Sequence, residues 1–189
     1  AVDARMSGCQ LPVMTSAGSG NQGLTITLPL WALAQRRKIS EERLSEALAL
    51  GHAITSILKF HTGTLSAMCG CVVCSGTGLA AATTYLLGGT LEDLGAAINH
   101  MVGGITGIIC DGAKVGCAIK LVCGVDAALQ AALMAREGVR LPATNGVLGD
   151  CIEESLKNVG RIAAPGMLAT DDQILEIMTQ LEGLKWENK

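Results

Sequence analysis

Residues 66–87 read SAMCGCVVCSGTGLAAATTYLL, and this stretch decides the fold. Small side chains dominate it, and Ala80-Ala81-Ala82 favours helix over strand because alanine has the highest helix propensity. The uncharged region extends further, from Phe60 to Leu91. It is therefore long enough for a membrane span, which needs about 20 apolar residues. Six glycines, three cysteines, His61 and several Ser and Thr interrupt it, however, and no aromatic belts or Lys/Arg cluster flank it. The stretch is expected to be a central helix buried inside a protein, with no membrane involved.

Outward from this helix, the periodicity predicts only further helices. Ser40 followed by Glu41 and Glu42 reads as a capped helix start running to about Lys59, since acidic side chains favour the positive end of the helix dipole. Leu24 to Arg37 reads as the preceding helix, after an uncharged loop from Met6 to Gly23. Thr90 and Asp93 match a capping box for a helix to about Val102. Cys110-Asp111-Gly112-Ala113-Lys114 is read as the start of a helix through Cys117 and Cys123 to Glu137, closed by Gly138. Asp150 is expected to cap a helix that Pro165-Gly166 breaks. Thr170 and Gln173 are expected to box the last helix, whose apolar stripe is Ile174, Ile177, Met178 and Leu181. No strand pattern is visible. The expectation is one compact all-α domain over residues 1–189.

Composition narrows the function. The chain is 49% hydrophobic but only 2% aromatic, so Ala, Leu, Ile, Val and Met must fill the core. A net charge of -3 gives no basic field for nucleic acid, and base-stacking aromatics are missing too. Eight cysteines could form a disulfide framework, but such frameworks staple small secreted domains with poor cores. Reduced thiols in the cytoplasm are expected instead. The opening Ala1-Val2-Asp3-Ala4-Arg5-Met6 reads as the interior of a longer protein, so the chain is expected to be a fragment.

Among the thiols, spacing gives no zinc-finger pattern. If Cys69 and Cys71 lay on one helix they would point about 200° apart, so only one could serve a given metal. Cys71, Cys74, Cys123 and Cys151 read as small packing residues. Cys110, at the expected helix start, is read as a thiolate whose proton the helix dipole helps remove. Cys117, two turns on, would share its face. Gly18-Ser19-Gly20-Asn21-Gln22-Gly23 is a glycine loop before a helix, able to hold a carboxylate or phosphate on exposed amides. His52, His61 and His100 are too dispersed to assign, with His61 the one nearest the cysteines.

Met6-Ser7-Gly8-Cys9-Gln10-Leu11-Pro12-Val13, the Gly18–Gly23 loop, Leu65-Ser66-Ala67-Met68-Cys69 and Ile109-Cys110-Asp111-Gly112-Ala113-Lys114 together resemble the serine dehydratase alpha-chain-like family. This group includes L-cysteine desulfidases. The resemblance runs from Ala1 to about Met178 and implies that this is a C-terminal half whose N-terminal half is absent. It further implies an oxygen-sensitive 4Fe-4S cluster and β-elimination on L-cysteine or L-serine, giving pyruvate, ammonia and sulfide or water. By the same resemblance Cys69 and Cys110 are cluster ligands, and Ser19, Gly20, Asn21, Gln22 and Gly23 hold the substrate. In the serine dehydratases the third ligand follows the Cys-Asp motif by three helical turns, and here Cys117 follows by two. Cys117 is the alternative third ligand, and the N-terminal half is the favoured source. The partners implied are a small amino-acid substrate, that other half and further copies in a homo-oligomer. The half alone is expected not to turn over substrate. Two other readings stay open: a non-catalytic helical binding or assembly domain with packing cysteines, and a zinc or thiol redox protein.

Overall fold

The computed structural model describes residues 1–186, and among them there are helices and no strands. In chain order the helices are α1 (Val2–Met6), α2 (Gly20–Arg37), α3 (Glu41–Thr62), α4 (Val73–Leu86), α5 (Leu91–Ile105), α6 (Cys117–Arg136), α7 (Ile152–Arg161) and α8 (Leu168–Trp186). A kinked segment, Ile162–Gly166, in which Ala164 is extended (φ -152°, ψ 115°), separates α7 from α8 at the expected Pro165-Gly166 break. The expected all-α architecture is the one observed. Its last residues, and the side chain of Leu181 in the expected stripe, lie outside the described residues.

α4 is the axis of the bundle. Thirteen of its fourteen residues are buried, so it is enclosed on every side. This is possible because its small residues let neighbouring backbones come close. A Cβ on Gly78 would run into the Gly51 carbonyl oxygen and the Thr55 hydroxyl of α3. A Cβ on Gly76 would come to 2.9 Å from Met101 Cε of α5, and the next neighbour is the Gly124 carbonyl of α6. The polar residues of α4 are partly satisfied internally: Thr77 and Thr84 donate to the Val73 and Ala80 carbonyls at 2.6 and 2.8 Å. Such bonds matter because an unpaired buried hydroxyl costs about 1–3 kcal/mol.

Two apolar clusters flank this axis. One joins Ile26 and Leu30 of α2 to Leu79, Met101 and the alanines of α6. The other joins Leu58, Met68 and Val73 to Ile98, Leu156 and Val159. Full burial of each Leu, Ile or Val contributes roughly 1.5–3 kcal/mol. Aromatic side chains play almost no part in either.

Helix boundaries differ from expectation in ways that matter for the site. Ser40 caps α3 through a 3.3 Å bond from Arg43 N, and Thr90 with Asp93 forms the full capping box of α5. The central helix, in contrast, starts at Val73, because Cys69–Val72 form a turn first. α2 starts at Gly20, so Gly20–Gly23 are its first turn and only Gly18 and Ser19 remain in the loop. α6 starts at Cys117, which leaves Cys110 in a loop seven residues earlier. Asp150 does not cap α7, whose N-cap is Cys151. Thr170 lies inside the first turn of α8, so no box forms with Gln173.

Candidate functional site: a thiol group at the start of three helices

The site is built by a short piece of backbone pairing. Met68 and Ile109 form an isolated antiparallel bridge. Cys69 N donates to the Ile108 carbonyl at 2.8 Å, and Cys110 N donates to the Ala67 carbonyl at 2.6 Å. Two loops distant in sequence are thereby pinned so that Cys69 and Cys110 are neighbours, close enough for each thiol to shift the ionisation of the other. Cys69 is buried and Cys110 is partly exposed, so the pair sits at the surface edge of the core.

The turn at Cys69-Gly70-Cys71 adds a third thiol. Because this turn precedes α4, the two side chains need not diverge as they would on a helix, and Cys71 lies close enough to Cys69 for the two thiols to influence each other's ionisation. Cys71 is thus a neighbour of the Cys69–Cys110 pair. Cys74 is buried and contacts the Thr62 hydroxyl at 3.6 Å, consistent with packing, whereas Cys123 and Cys151 are exposed. Cys117 does not follow Cys110 along one helical face, since residues 110–116 are not helical. Its thiol instead accepts from Lys114 N at 3.4 Å and donates to the Gly112 carbonyl at 3.7 Å. It still lies close enough to Cys71 for a charge on one to oppose ionisation of the other.

The expected acidity of Cys110 is corrected. The neighbouring Cys69 thiol, then burial, push its thiol well above the usual range, and the Gly112 amide and Lys120 only partly offset this. The dipole argument fails because no helix starts there. For Cys69 the Cys110 thiol favours the thiolate, but Cys71 and burial outweigh it, and its pKa is raised. Cys71 is the thiol held below the usual range, first by the neighbouring Cys69 and also by Ser19, against burial and the other thiols.

Lys120 of α6 is the fixed cation beside these sulfurs. Burial alone would lower its pKa, but the Asp111 carboxylate, with which it forms an ion pair, and the nearby Cys69 and Cys110 hold it up. Asp111 is lowered in return by the hydrogen bond from Lys120. Any negative charge gathered on the thiols thus meets a side chain that stays protonated. The spacing of ten residues between Cys110 and Lys120 gave no clue to this in the sequence.

The glycine motif arrives at the same place from α2. Ser19 caps the helix by accepting from Gln22 N at 3.4 Å and lies near enough to Cys71 to favour its thiolate. Gln22 is buried, its amide nitrogen lies 2.8 Å from where a Cβ on Gly70 would sit, and its Oε1 has no partner. Arg5 of α1 lies across the helix start and donates to Asn21 Oδ1 at 2.9 Å. A Cβ on Gly20 would come to 2.8 Å from the Arg5 Nε, so the glycine makes room for the guanidinium. Gly23 lets the helix approach the Met14 carbonyl. Of the expected site residues, Cys69, Cys110, Ser19 and Gln22 converge on the thiol group, Gly20 and Asn21 lie under Arg5, and Gly23 packs on the preceding loop. The three histidines stay apart: His61 stacks edge-on to Phe60, His100 bonds the Ala131 carbonyl, and His52 lines a separate cavity with Ser16. Among the described residues no group of three or more His, Cys, Asp or Glu is arranged to hold a metal ion.

Against known families, the model of the serine dehydratase alpha chain matches residues 1–176. The chain belongs to this family. Serine dehydratase alpha-chain relatives include a UPF0597 protein of Caldanaerobacter subterraneus subsp. tengcongensis, 48% identical over 94% of this chain and 42% of its own length. One from Desulfotalea psychrophila is 48% identical over 94% and 41%, and one from Alkaliphilus oremlandii 44% over 96% and 42%. The present chain thus spans about two fifths of the length of the curated relatives it matches. No solved structure matches it significantly.

Proposed function

We propose that this chain is the thiol-bearing helical part, the C-terminal half, of a longer iron-sulfur lyase. That enzyme would eliminate the β-substituent of L-cysteine or L-serine, with pyruvate, ammonia and sulfide or water as products. The observation that carries this reading is the bridge between residues 68 and 109, which sets Cys69 beside Cys110. The motifs around both cysteines are among those on which the resemblance to the family rests.

The donor set fits a 4Fe-4S cluster in part. Cys69 and Cys110 are soft ligands at the edge of a core, held by backbone bonds, which is the kind of site a thiolate-bound cluster requires. They would hold it, with Cys71 and Cys117 as neighbouring thiols. A further ligand would come from the other part of the protein, with Cys117 as the alternative within this chain. When bound, such a cluster with one iron free of protein sulfur acts as a Lewis acid toward the departing thiol or hydroxyl. Lys120 offsets the negative charge of the sulfurs that hold it, and Asp111 fixes Lys120 in place.

Ser19–Gly23 serve the substrate. The first amides of α2 have no intrahelical acceptor, and together with Arg5 they favour a carboxylate at this helix start. The unpartnered Gln22 Oε1 suits the substrate ammonium group, because a buried acceptor gains most from a charged donor. Both ends of an amino acid would thus be gripped within reach of the sulfurs. Oxygen-sensitive sites of this kind suit a reducing, cytoplasmic setting.

The reading is tested on the full-length protein, prepared without oxygen and assayed for pyruvate from L-cysteine and from L-serine. Wild type should form pyruvate from at least one, and Cys110→Ser should not, while keeping wild-type helical content. Pyruvate formation that survives Cys110→Ser would refute the proposal.

A further inference from the structure

One face of the molecule carries an apolar groove unrelated to catalytic chemistry. It lies between α2 and α6, has a volume of about 600 Å³, and is lined by Leu24 and Leu28 on one side and Leu121, Val122 and Val125 on the other. Ile119 and Val122 are 71% and 68% exposed, on a stretch of α6 in which Lys120, turned to its ion pair with Asp111, is the one charged residue between Cys117 and Val125. α6 is the described helix long and apolar enough to cross a membrane by length and composition, yet only 33% of its apolar window is buried. Scattered exposed Leu or Val residues are ordinary, but a continuous apolar trough along two helices marks a surface that something covers.

We infer that the α2/α6 groove is the docking surface for the portion of the full-length protein that lies outside these 189 residues. Three observations favour this occupant. The relatives are more than twice as long as this chain, so a large part of each protein has to pack somewhere. Ala1, Val2 and Asp3 themselves line the groove, so the covalent chain already reaches it. The groove also begins within about a turn of Ser19 and Cys117, so a segment seated in it is carried up to the thiol group. Against a lipid occupant, Asp3 and Asp126 stand on its wall, and a carboxylate is costly in hydrocarbon. The docking does not depend on the sulfurs holding iron, so it can fail or succeed separately from the proposed activity.

The test places the photo-crosslinker p-benzoyl-L-phenylalanine at position 122 of the full-length protein, with position 119 as a second probe should the first variant fold poorly. Light and heavy isotope-labelled copies are mixed before irradiation, and linked peptides are identified by mass spectrometry. The expected result is links within one molecule, to peptides outside the present 189 residues, several-fold more abundant than all other products. Mixed light–heavy links would show a second copy in the groove, and lipid adducts a membrane. Either of these, links confined to the 189 residues, or no link at both positions would overturn the inference.

Discussion

Replacing Gly78 by Ala should destabilise the protein although it replaces a poor helix former with the best. In a helix interior the change gains about 1 kcal/mol of propensity. The new methyl, however, falls on the Gly51 carbonyl and the Thr55 hydroxyl, where α3 and α4 cross. Neither can yield easily: the carbonyl is backbone, and the hydroxyl is buried and donates to that same carbonyl at 2.8 Å. Overpacking of this kind costs about 1–3 kcal/mol, and disturbing the buried bond about 1 more. The net loss is therefore about 1–3 kcal/mol. At roughly 2–4 °C per kcal/mol for a chain of this size, the melting temperature should fall by about 2–12 °C. Gly104→Ala is the matched control, since nothing lies within 4 Å of its Cβ position near the end of α5. It should raise stability by up to about 1 kcal/mol. Thermal and urea unfolding followed by circular dichroism would measure both. If Gly78→Ala proved as stabilising as Gly104→Ala, the claim that glycine contact holds α4 at the centre would be wrong.

Three other substitutions probe the capping and the site. Thr90→Ala should cost about 1 kcal/mol by removing the α5 cap. Its partner Asp93 is held below the usual carboxylate range by the Thr90 amide, then the Thr90 hydroxyl and Arg140. A lowered folded pKa means that its stabilisation is present above the unfolded value near about 4 and disappears as pH falls through the folded value. Asp93→Asn should flatten that part of the stability–pH curve, and an unchanged curve would contradict the assignment. Gly70→Ala meets only the flexible end of Gln22, so unfolding should shift by less than about 1 kcal/mol. In the full-length protein the proposed lyase activity should nevertheless show a raised KM because Gln22 moves, and an unchanged KM would remove Gln22 from the proposed substrate site.

The fold was largely legible in residues 66–87, since an uncharged run of small residues with an alanine triplet has few ways to exist except as an enclosed helix. The caps at Ser40 and Thr90 were legible because a hydroxyl with an acidic first turn has a local physical cause. The caps at Asp150 and Thr170 were misjudged because similar local chemistry was overridden by where the neighbouring turns begin. The same error moved the starts of α4 and α6, and it hid the site. Cys71 looked excluded by helical geometry that begins only at Val73, and Cys110 looked acidic from a helix that begins only at Cys117. The bridge between Met68 and Ile109 joins residues 41 positions apart, and no periodicity signals such a contact. Arg5 and Lys120 reach the site through tertiary packing, so their spacing carried no message.

The central claim is that Cys69 and Cys110 jointly hold an iron-sulfur cluster in the full-length protein. Its most direct test is the iron and acid-labile sulfide content of anaerobically reconstituted wild type, Cys69→Ser, Cys110→Ser and Cys123→Ser proteins, read with their paramagnetic spectra. Wild type and the exposed-thiol control Cys123→Ser should carry the cluster, and both site variants should lose it with helical content intact. A cluster retained in either site variant, or missing from wild type, would contradict the account.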